Sequence, residues 1–384
     1  MQIIHQAPLA ALGLGAAFTV IWGVADPVMA WAEVKTYTGV GKCAMGDLVT
    51  PQQAKNYARE LAMINAREQA GVYIRSYTRT SSAKVADNEI AAIANNITEV
   101  RGEVRYTQAP GEVDGQPVVV YTATLEAKVD TNGISEWLRR DESEKASLVN
   151  HIDFVQKKIK SSLDKIQQLI DLYREAESEQ EKERLRKEHS EVDQELLADQ
   201  KVEEALEAYY RGEYDNAIRL NSEALALNRN YVEAYANRGS AYSDKGENDK
   251  ALADYNKAIE INPRFAGLYS NRGGLYCAMG DYDKAISDCN KALSMDPHDA
   301  IAYANRGMAY NKREEYDKAI ADYTRAIELN PNLADAYLQR GAVYGVKGEY
   351  RLTLADWRMY LKFKPDNEKV KGLVRDIEKF LSDK

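Results

Sequence analysis

Residues 266–299 read AGLYSNRGGLYCAMGDYDKAISDCNKALSMDPHD, and residues 300–333 read AIAYANRGMAYNKREEYDKAIADYTRAIELNPNL. Related blocks precede and follow them, at 232–265 and 334–367. The proline that closes each block recurs every 34 residues, at Pro263, Pro297, Pro331 and Pro365. A period of about 34 residues is typical of stacked helix pairs, in which each unit buries its apolar side against the next. The sequence therefore predicts a mainly α, helix-turn-helix solenoid.

Within one block, the residue spacing predicts two helices joined by a tight turn. Tyr269, Gly273 and Tyr276 are separated by four and three residues, so they lie on one face of the first helix. A glycine on that face lets the second helix approach closely. The turn carries Gly280, and Pro297 ends the second helix because proline cannot continue it.

The period extends beyond the four full blocks. Residues 198–231 form a degenerate copy that keeps Gly212 but has Arg229 where the others have proline. Terminal repeats of such arrays are often atypical because they cap the stack. We therefore predict five repeats over 198–367. Apolar residues spaced by three and four within 368–384 predict a closing helix.

This pattern resembles the tetratricopeptide repeat (TPR). The resemblance rests on the two tyrosines and the glycine of the first helix, the small residues of the second and the closing proline. It implies that the first helices line a concave groove that binds a peptide or protein segment. One departure is consistent: the residue before the glycine, usually apolar in this family, is arginine in every full block.

That arginine is accompanied by an aspartate in the second helix of the same block. The arginines are Arg238, Arg272, Arg306 and Arg340, and the aspartates are Asp254, Asp288, Asp322 and Asp356. The degenerate copy has neither, with Glu204 and Leu220 instead. We predict that each arginine pairs with an aspartate of the same or the neighbouring repeat. Independent solvation of both groups is the alternative.

The first helices also carry a recurring amide. By register, the groove is predicted to present Asn237, Asn271, Asn305 and Gln339, together with Met308. Amide side chains both donate to and accept from a peptide backbone, which would give sequence-tolerant binding of an extended segment. The positions at which some TPR proteins hold a terminal carboxylate lack Lys and Arg, so no carboxylate clamp is expected. Helix packing and solvent exposure remain the alternative role for the amides.

The N-terminus predicts export. Residues 1–25 carry no charged side chain, and Ala30-Trp31-Ala32 suits cleavage before Glu33. We expect residues 1–32 to be a signal peptide and the chain to be periplasmic or attached to the cell envelope. An uncleaved inner-membrane anchor at 7–25 is an alternative, and a buried helix in a cytoplasmic, co-chaperone-like adaptor is another.

Residues 33–140 predict a small α+β domain. A strand at 34–41, a helix opened by Thr50-Pro51, a shorter helix at 88–96 and a hairpin of 100–107 with 119–130 follow in order. The helix motif, from Thr50-Pro51-Gln52-Gln53-Ala54 to Glu68-Gln69-Ala70-Gly71-Val72-Tyr73, is similar to the N-terminal domain of flagellar assembly protein T and of small outer-membrane lipoproteins. That resemblance implies an extracytoplasmic, non-enzymatic assembly module.

Residues 141–197 are rich in Glu and Lys and predict a charged helical spacer. Apolar residues of 145–176 follow a 3–4 rhythm over about four heptads. Either a helical hairpin or a homodimeric coiled coil would bury them, and the sequence does not choose.

No pattern in the chain indicates catalysis. The 384 residues have a formal net charge of −9, which gives no reason to expect nucleic acid. The four histidines lack metal-ligand spacing with cysteine. Three cysteines leave a pairing of Cys277 with Cys289 open. We therefore expect a non-enzymatic envelope scaffold without metal or cofactor. A hydrolase site within 34–140 is the alternative from another class.

Overall fold

The computed structural model describes residues 34–45, 47–80, 90, 94, 98–113, 116–130 and 142–382. It divides into two compact units. The first contains Met1–Leu138 and Gln167–His189, and the second contains Arg139–Ile166 and Ser190–Lys384. The predicted signal or anchor segment lies outside the described residues. Among the described residues, none of the helices is long and apolar enough to cross a membrane.

The first unit contains a three-stranded antiparallel sheet with the strand order β1-β3-β2. The strands are β1 (Val34–Met45), β2 (Thr98–Val113) and β3 (Gln116–Asp130). All three are longer than the sequence predicts, because β1 and β2 pair with β3 over most of its length. One face of β3 is buried, as its alternation predicts: Tyr121, Ala123, Leu125, Ala127 and Val129. Of the predicted helix at 88–96, Ile90 and Ala94 are described, and both are helical and buried.

Helix α1 (Pro51–Thr80) packs on β1 through small residues. Thr50 and Gln53 form a reciprocal capping box, in which each side chain accepts the backbone N–H of the other. The buried face of α1 carries an alanine at nearly every turn, at Ala54, Ala58, Ala62, Ala66 and Ala70. Opposite them, Gly39 and Gly41 of β1 leave no space for a side chain. The helix and the strand therefore approach at backbone distance.

The charged spacer forms two long helices, α2 (Glu142–Glu175) and α3 (Glu179–Tyr210). Its apolar stripe is buried within the single chain, with Val155 and Ile159 each 1% exposed. Side chains of the two helices meet: Arg186 donates to the Tyr173 hydroxyl, and Lys158 lies 3.2 Å from Asp199. These contacts favour the hairpin, whereas the homodimer through 145–176 stays a prediction.

The predicted repeats form consecutive helix pairs. The end of α3 and α4 (Tyr214–Leu227) make up the degenerate copy. Repeats one to four are the blocks at 232–265, 266–299, 300–333 and 334–367. Their helices are α5 (Val232–Asp244), α6 (Asn248–Ile261), α7 (Ala266–Met279), α8 (Tyr282–Met295), α9 (Ala300–Lys312), α10 (Tyr316–Leu329), α11 (Ala334–Val346) and α12 (Tyr350–Phe363). The closing helix is α13 (Glu368–Ser382).

The first helices of successive repeats pack against one another more closely than the second helices do. This places the first helices on the inner side of the stack. Within a repeat, the glycine of the first helix faces a large or polarisable side chain of the second. A Cβ atom at Gly239 would lie 3.1 Å from the Tyr255 ring, and one at Gly341 would lie 2.6 Å from Trp357. The glycine therefore sets the separation of the two helices.

The turn inside each repeat requires a left-handed residue. Gly212, Gly246, Gly280 and Gly348 supply it, with φ between 76° and 83°. Repeat three has Glu314 at this place, with φ of 63°. A side chain in this conformation is strained, because its Cβ approaches the following carbonyl oxygen.

Replacing Glu314 with glycine is therefore expected to stabilise the repeat unit by about 1 kcal/mol. Thermal unfolding of the two proteins measures the difference. Gly348→Glu is the matched reverse change and is expected to destabilise by a similar amount. Equal stability of Glu314→Gly and the parent chain would contradict the strain argument.

Candidate functional site

The recurring arginines and aspartates form bidentate ion pairs within each full repeat. Nε and Nη2 of the arginine donate to the two carboxylate oxygens of the aspartate sixteen residues later. The distances are 2.7 and 2.7 Å for Arg238–Asp254, 2.6 and 2.8 Å for Arg272–Asp288, 2.7 and 2.7 Å for Arg306–Asp322, and 2.8 and 2.7 Å for Arg340–Asp356. Of the two arrangements that the sequence left open, the structure shows pairing in the same repeat.

These pairs are largely withdrawn from solvent. The Asp288 side chain is 11% exposed and the Arg272 side chain 17%. The hydrogen bond with Asp288 raises the pKa of Arg272, so the guanidinium stays charged. The first tyrosine of the repeat adds a cation–π contact, with the Arg272 guanidinium carbon 5.6 Å from the centre of the Tyr269 ring. The arginine is therefore held on two sides within its own repeat.

The remaining guanidinium nitrogen reaches the preceding repeat, which the sequence reasoning did not predict. Nη1 donates to a polar side chain sixteen residues earlier. The acceptors are Ser222 at 2.9 Å from Arg238, Asn256 at 2.6 Å from Arg272, Asn290 at 2.6 Å from Arg306, and Thr324 at 2.9 Å from Arg340. We call each arginine with its aspartate and this acceptor an arginine latch. It ties the two helices of one repeat together and also ties that repeat to the one before it.

The latch series ends at the closing helix. Arg358 occupies the acceptor position of repeat four, and Val374 stands where α13 would carry the next arginine. Instead, Arg358 pairs with Glu378 of α13 at 2.6 Å, and Val374 is buried in the terminal core. An arginine in place of the acceptor would repel the arginine of a further repeat. The arginine latch is therefore absent between repeat four and α13.

The structure places the predicted amides in different environments. Asn305 Nδ2 donates to the Ser270 carbonyl oxygen of repeat two at 3.1 Å. Its amide lies directly over Gly274, which has no side chain to obstruct it. Asn305 is therefore part of the contact between repeats two and three.

Asn237 is the residue of repeat one that is equivalent to Asn305, and the repeat that precedes it is the degenerate copy. The residues equivalent to Ser270 and Gly274 are there Val202 and Leu206, and Asn237 Nδ2 is buried without a hydrogen-bond partner. Asn271 is exposed, and Gln339 is half-buried. Of the four amides, Asn271 is thus the one that solvent reaches most freely.

Met308 packs mainly in the hydrophobic core and not on the predicted groove. It is half-buried and packs against the clusters around Tyr323 and Cys277. Other first-helix residues expose apolar surface instead, with Ile301 42% and Val346 65% exposed. Ile301 occupies one of the positions at which carboxylate-binding TPR proteins carry Lys or Arg.

The three cysteines are free and buried. Burial raises the pKa of the Cys277 thiol to about 11 and also raises that of Cys289. Cys277 donates to the Asn305 carbonyl oxygen at 3.4 Å. Because the reactive form is the thiolate, these residues act as small packing groups in this structure.

The described part of the chain contains no cluster of His, Cys, Asp and Glu that could hold a metal ion. In the first unit, the Tyr57 hydroxyl lies 3.5 Å from Nε2 of His189, and both residues are 2% exposed. Burial keeps this pair from a substrate in solution. The hydrolase alternative for 34–140 receives no positive support and stays untested.

The comparisons with known proteins agree with this architecture. The family model described as "Tetratricopeptide repeat" matches residues 232–265, 266–299 and 300–333. The chain therefore contains tetratricopeptide repeats, and their helix pairs form an α-solenoid. Among curated proteins, no significant sequence match is found.

Solved structures similar to the chain include three with helical repeats. The protein MamA is 25% identical, with a TM-score of 0.36 over 43% of this chain and 96% of that one. A thermophilic TPR protein of Thermus thermophilus is 22% identical, with a TM-score of 0.43 over 47% and 98%. PilF of Pseudomonas aeruginosa is 19% identical, with a TM-score of 0.45 over 50% and 86%.

Proposed function

We propose that this protein is a non-enzymatic scaffold that binds a protein segment on the first-helix side of its repeats. The observation that carries this proposal is that two sets of side chains on the repeats differ in their exposure. The latch charges are paired inside the stack, whereas Asn271 and the apolar Ile301 and Val346 are exposed to solvent. Solenoid proteins bind partners on the extended surface along one side of their repeats, and these three residues lie on the first helices that form this side.

The chemistry of this face fits an extended segment. The Asn271 amide can donate to one backbone group and accept from another. Ile301 and Val346 offer contacts to apolar side chains of the same segment. Recognition through backbone hydrogen bonds and a few apolar contacts tolerates variation in sequence, so the partner class is an extended peptide or tail of another protein.

We place this scaffold in the bacterial cell envelope. The uncharged run at 1–25 and Ala30-Trp31-Ala32 support export, and the resemblance of 33–140 to the flagellar assembly protein T domain supports an extracytoplasmic assembly role. Inner-membrane anchoring by 7–25 and a cytoplasmic adaptor are the competing locations. Cell fractionation with N-terminal sequencing separates them: export predicts a mature chain that starts near Glu33, anchoring predicts an intact Met1 in the membrane fraction, and an intact Met1 in the cytosol would contradict export.

Site-specific photo-crosslinking tests the binding face itself. A photo-reactive amino acid replaces Asn271 in the full chain, and a matched variant carries it at Lys291, which is exposed on the second helix of the same repeat. After irradiation in cells, mass spectrometry identifies the attached protein and the attached segment. We expect a single predominant partner from position 271 and none enriched from position 291. Equal yields of the same adducts from both positions would contradict a specific first-helix site.

A further inference from the structure

The junctions between adjacent repeats, which we call seams, are not equally joined. Seam two–three, between repeats two and three, has three polar connections besides the hydrogen bond from the Cys277 thiol to the Asn305 carbonyl oxygen. Arg306 reaches Asn290, Asn305 reaches the Ser270 carbonyl, and Arg313 pairs with Asp283 on the turn side. Of these three kinds of connection, seam one–two, between repeats one and two, keeps the arginine latch from Arg272 to Asn256. It also has a hydrogen bond from the Tyr269 hydroxyl to the Pro263 carbonyl oxygen at 3.2 Å. The same solenoid thus contains a tightly joined seam and a sparsely joined one.

On the turn side, the missing connection is an ion pair that the other seams possess. Lys245, Arg313 and Lys347 occupy equivalent positions, and each pairs with an aspartate of the preceding repeat: Asp215, Asp283 and Asp317. In repeat two this position is Met279, which is 40% exposed. Asp249 is the equivalent aspartate of repeat one, and repeat two has a thioether instead of a cation at the position that would pair with it.

On the inner side, the missing connection is the amide. Asn305 lies in the seam and donates to the preceding repeat, whereas Asn271, one repeat earlier, is exposed. Ser240 stands below Asn271 at the place where Gly274 makes room for Asn305. A side chain there removes the space that the Asn305 arrangement uses, which gives a steric reason for the exposure of Asn271.

The extent of helix packing also differs between the seams. Of the seams from α4 to α11, the contact between the second helix of one repeat and the first helix of the next is least extensive for α6 and α7 and most extensive for α8 and α9. The first helices α7 and α9 also pack far more extensively than either α5 and α7 or α9 and α11. Fewer contacts and fewer polar links both lower the free energy needed to open a seam.

We propose that seam one–two is a built-in joint, at which the solenoid bends and changes the width of its inner face. Asn271 lies at this joint, so bending would alter the spacing between Asn271 and the first helix of repeat one. The joint is a property of the repeats alone and does not depend on whether the proposed partner exists.

Spin-label distance distributions on the full chain test the joint directly. Lys257, Lys291 and Arg325 occupy equivalent positions on the second helices of repeats one, two and three. A pair of labels at 257 and 291 spans seam one–two, and a pair at 291 and 325 spans seam two–three. We expect a broader distribution for the first pair. Equal widths, or a broader second pair, would overturn the proposal.

Hydrogen exchange provides the second measurement, with Met279→Lys as the restoring variant. We expect amides of α6 and α7 to exchange about tenfold faster than the equivalent amides of α8 and α9, because a hydrogen bond and an ion pair are absent. Met279→Lys supplies a cation opposite Asp249 and is expected to slow exchange at this seam about two- to threefold. Met279→Leu is the uncharged control and is expected to leave the rates unchanged. If Lys and Leu behave alike, the missing ion pair does not loosen the seam and the proposal fails.

Discussion

Arg272→Ala is expected to lower the free energy of unfolding of the repeat unit by about 3–5 kcal/mol. The reason is the environment of Asp288, whose side chain is 11% exposed and accepts both of its hydrogen bonds from this arginine. Removing the guanidinium leaves a carboxylate that is largely buried and has no cation. The same change also removes the hydrogen bond to Asn256, which links repeats one and two.

A double-mutant cycle measures this pairing. Asp288→Ala alone is expected to lower the free energy of unfolding by a similar amount, because it leaves the buried arginine without its carboxylate partner. The double variant is expected to lose much less than the sum of the two single losses. Arg272→Lys is the charge-conserving control. Lysine is a point charge that cannot make the bidentate pair and reach Asn256 at once. We therefore expect Arg272→Lys to recover only a minor part of the free energy of unfolding that Arg272→Ala loses. Additive losses would show that the two charges act independently.

Gly41→Ala is expected to destabilise the first unit by about 3 kcal/mol or more, at the upper end of overpacking effects. A Cβ atom at Gly41 would overlap the carbonyl oxygen of Ala58, and its other close neighbours belong to Ala62 and Leu61 of α1. The clash is with helix backbone, so no side-chain rotation relieves it. Chemical denaturation followed by a signal from the first unit measures the loss.

Gly71→Ala is the matched control in the same unit. Gly71 lies inside α1, and a Cβ atom there would meet nothing closer than Ile90 at 3.7 Å. Alanine is favoured over glycine in a helix by about 1 kcal/mol, so this variant is expected to be more stable than the parent chain. If both variants lose stability equally, the close approach of α1 and β1 is not the reason for a glycine at position 41.

The repeat architecture could be predicted from the sequence because a 34-residue period constrains many positions at once. The Arg–Asp pairing was also readable, since both residues are present in every full repeat and absent together from the degenerate copy. The third contact of the latch was missed because its acceptors differ: Ser222, Asn256, Asn290 and Thr324 share hydrogen-bonding capacity but not identity. A search for any polar side chain sixteen residues before each arginine would have found it.

The amides show why the candidate site was harder to predict. Register places Asn237, Asn271 and Asn305 on the same face, but burial depends on the residues beneath each one. Gly274 admits Asn305 into a seam, and Ser240 stands at the corresponding place below Asn271. The small side chain of Ser240 is therefore the difference between Asn305, which packs in a seam, and Asn271, which is exposed to solvent. The spacer was ambiguous for a related reason, because a 3–4 apolar stripe describes a hairpin and a dimer equally well.

The measurement that tests the central proposal most directly is the affinity of the full chain for the segment identified by crosslinking, determined by calorimetry for two single variants. Asn271→Ala is expected to weaken binding about 5- to 30-fold, the equivalent of one or two lost hydrogen bonds, with an unchanged melting temperature. Lys291→Ala on the second helix of the same repeat is expected to bind like the parent chain. Equal affinities of all three proteins would contradict binding through the first-helix face, and so would a loss for Lys291→Ala alone.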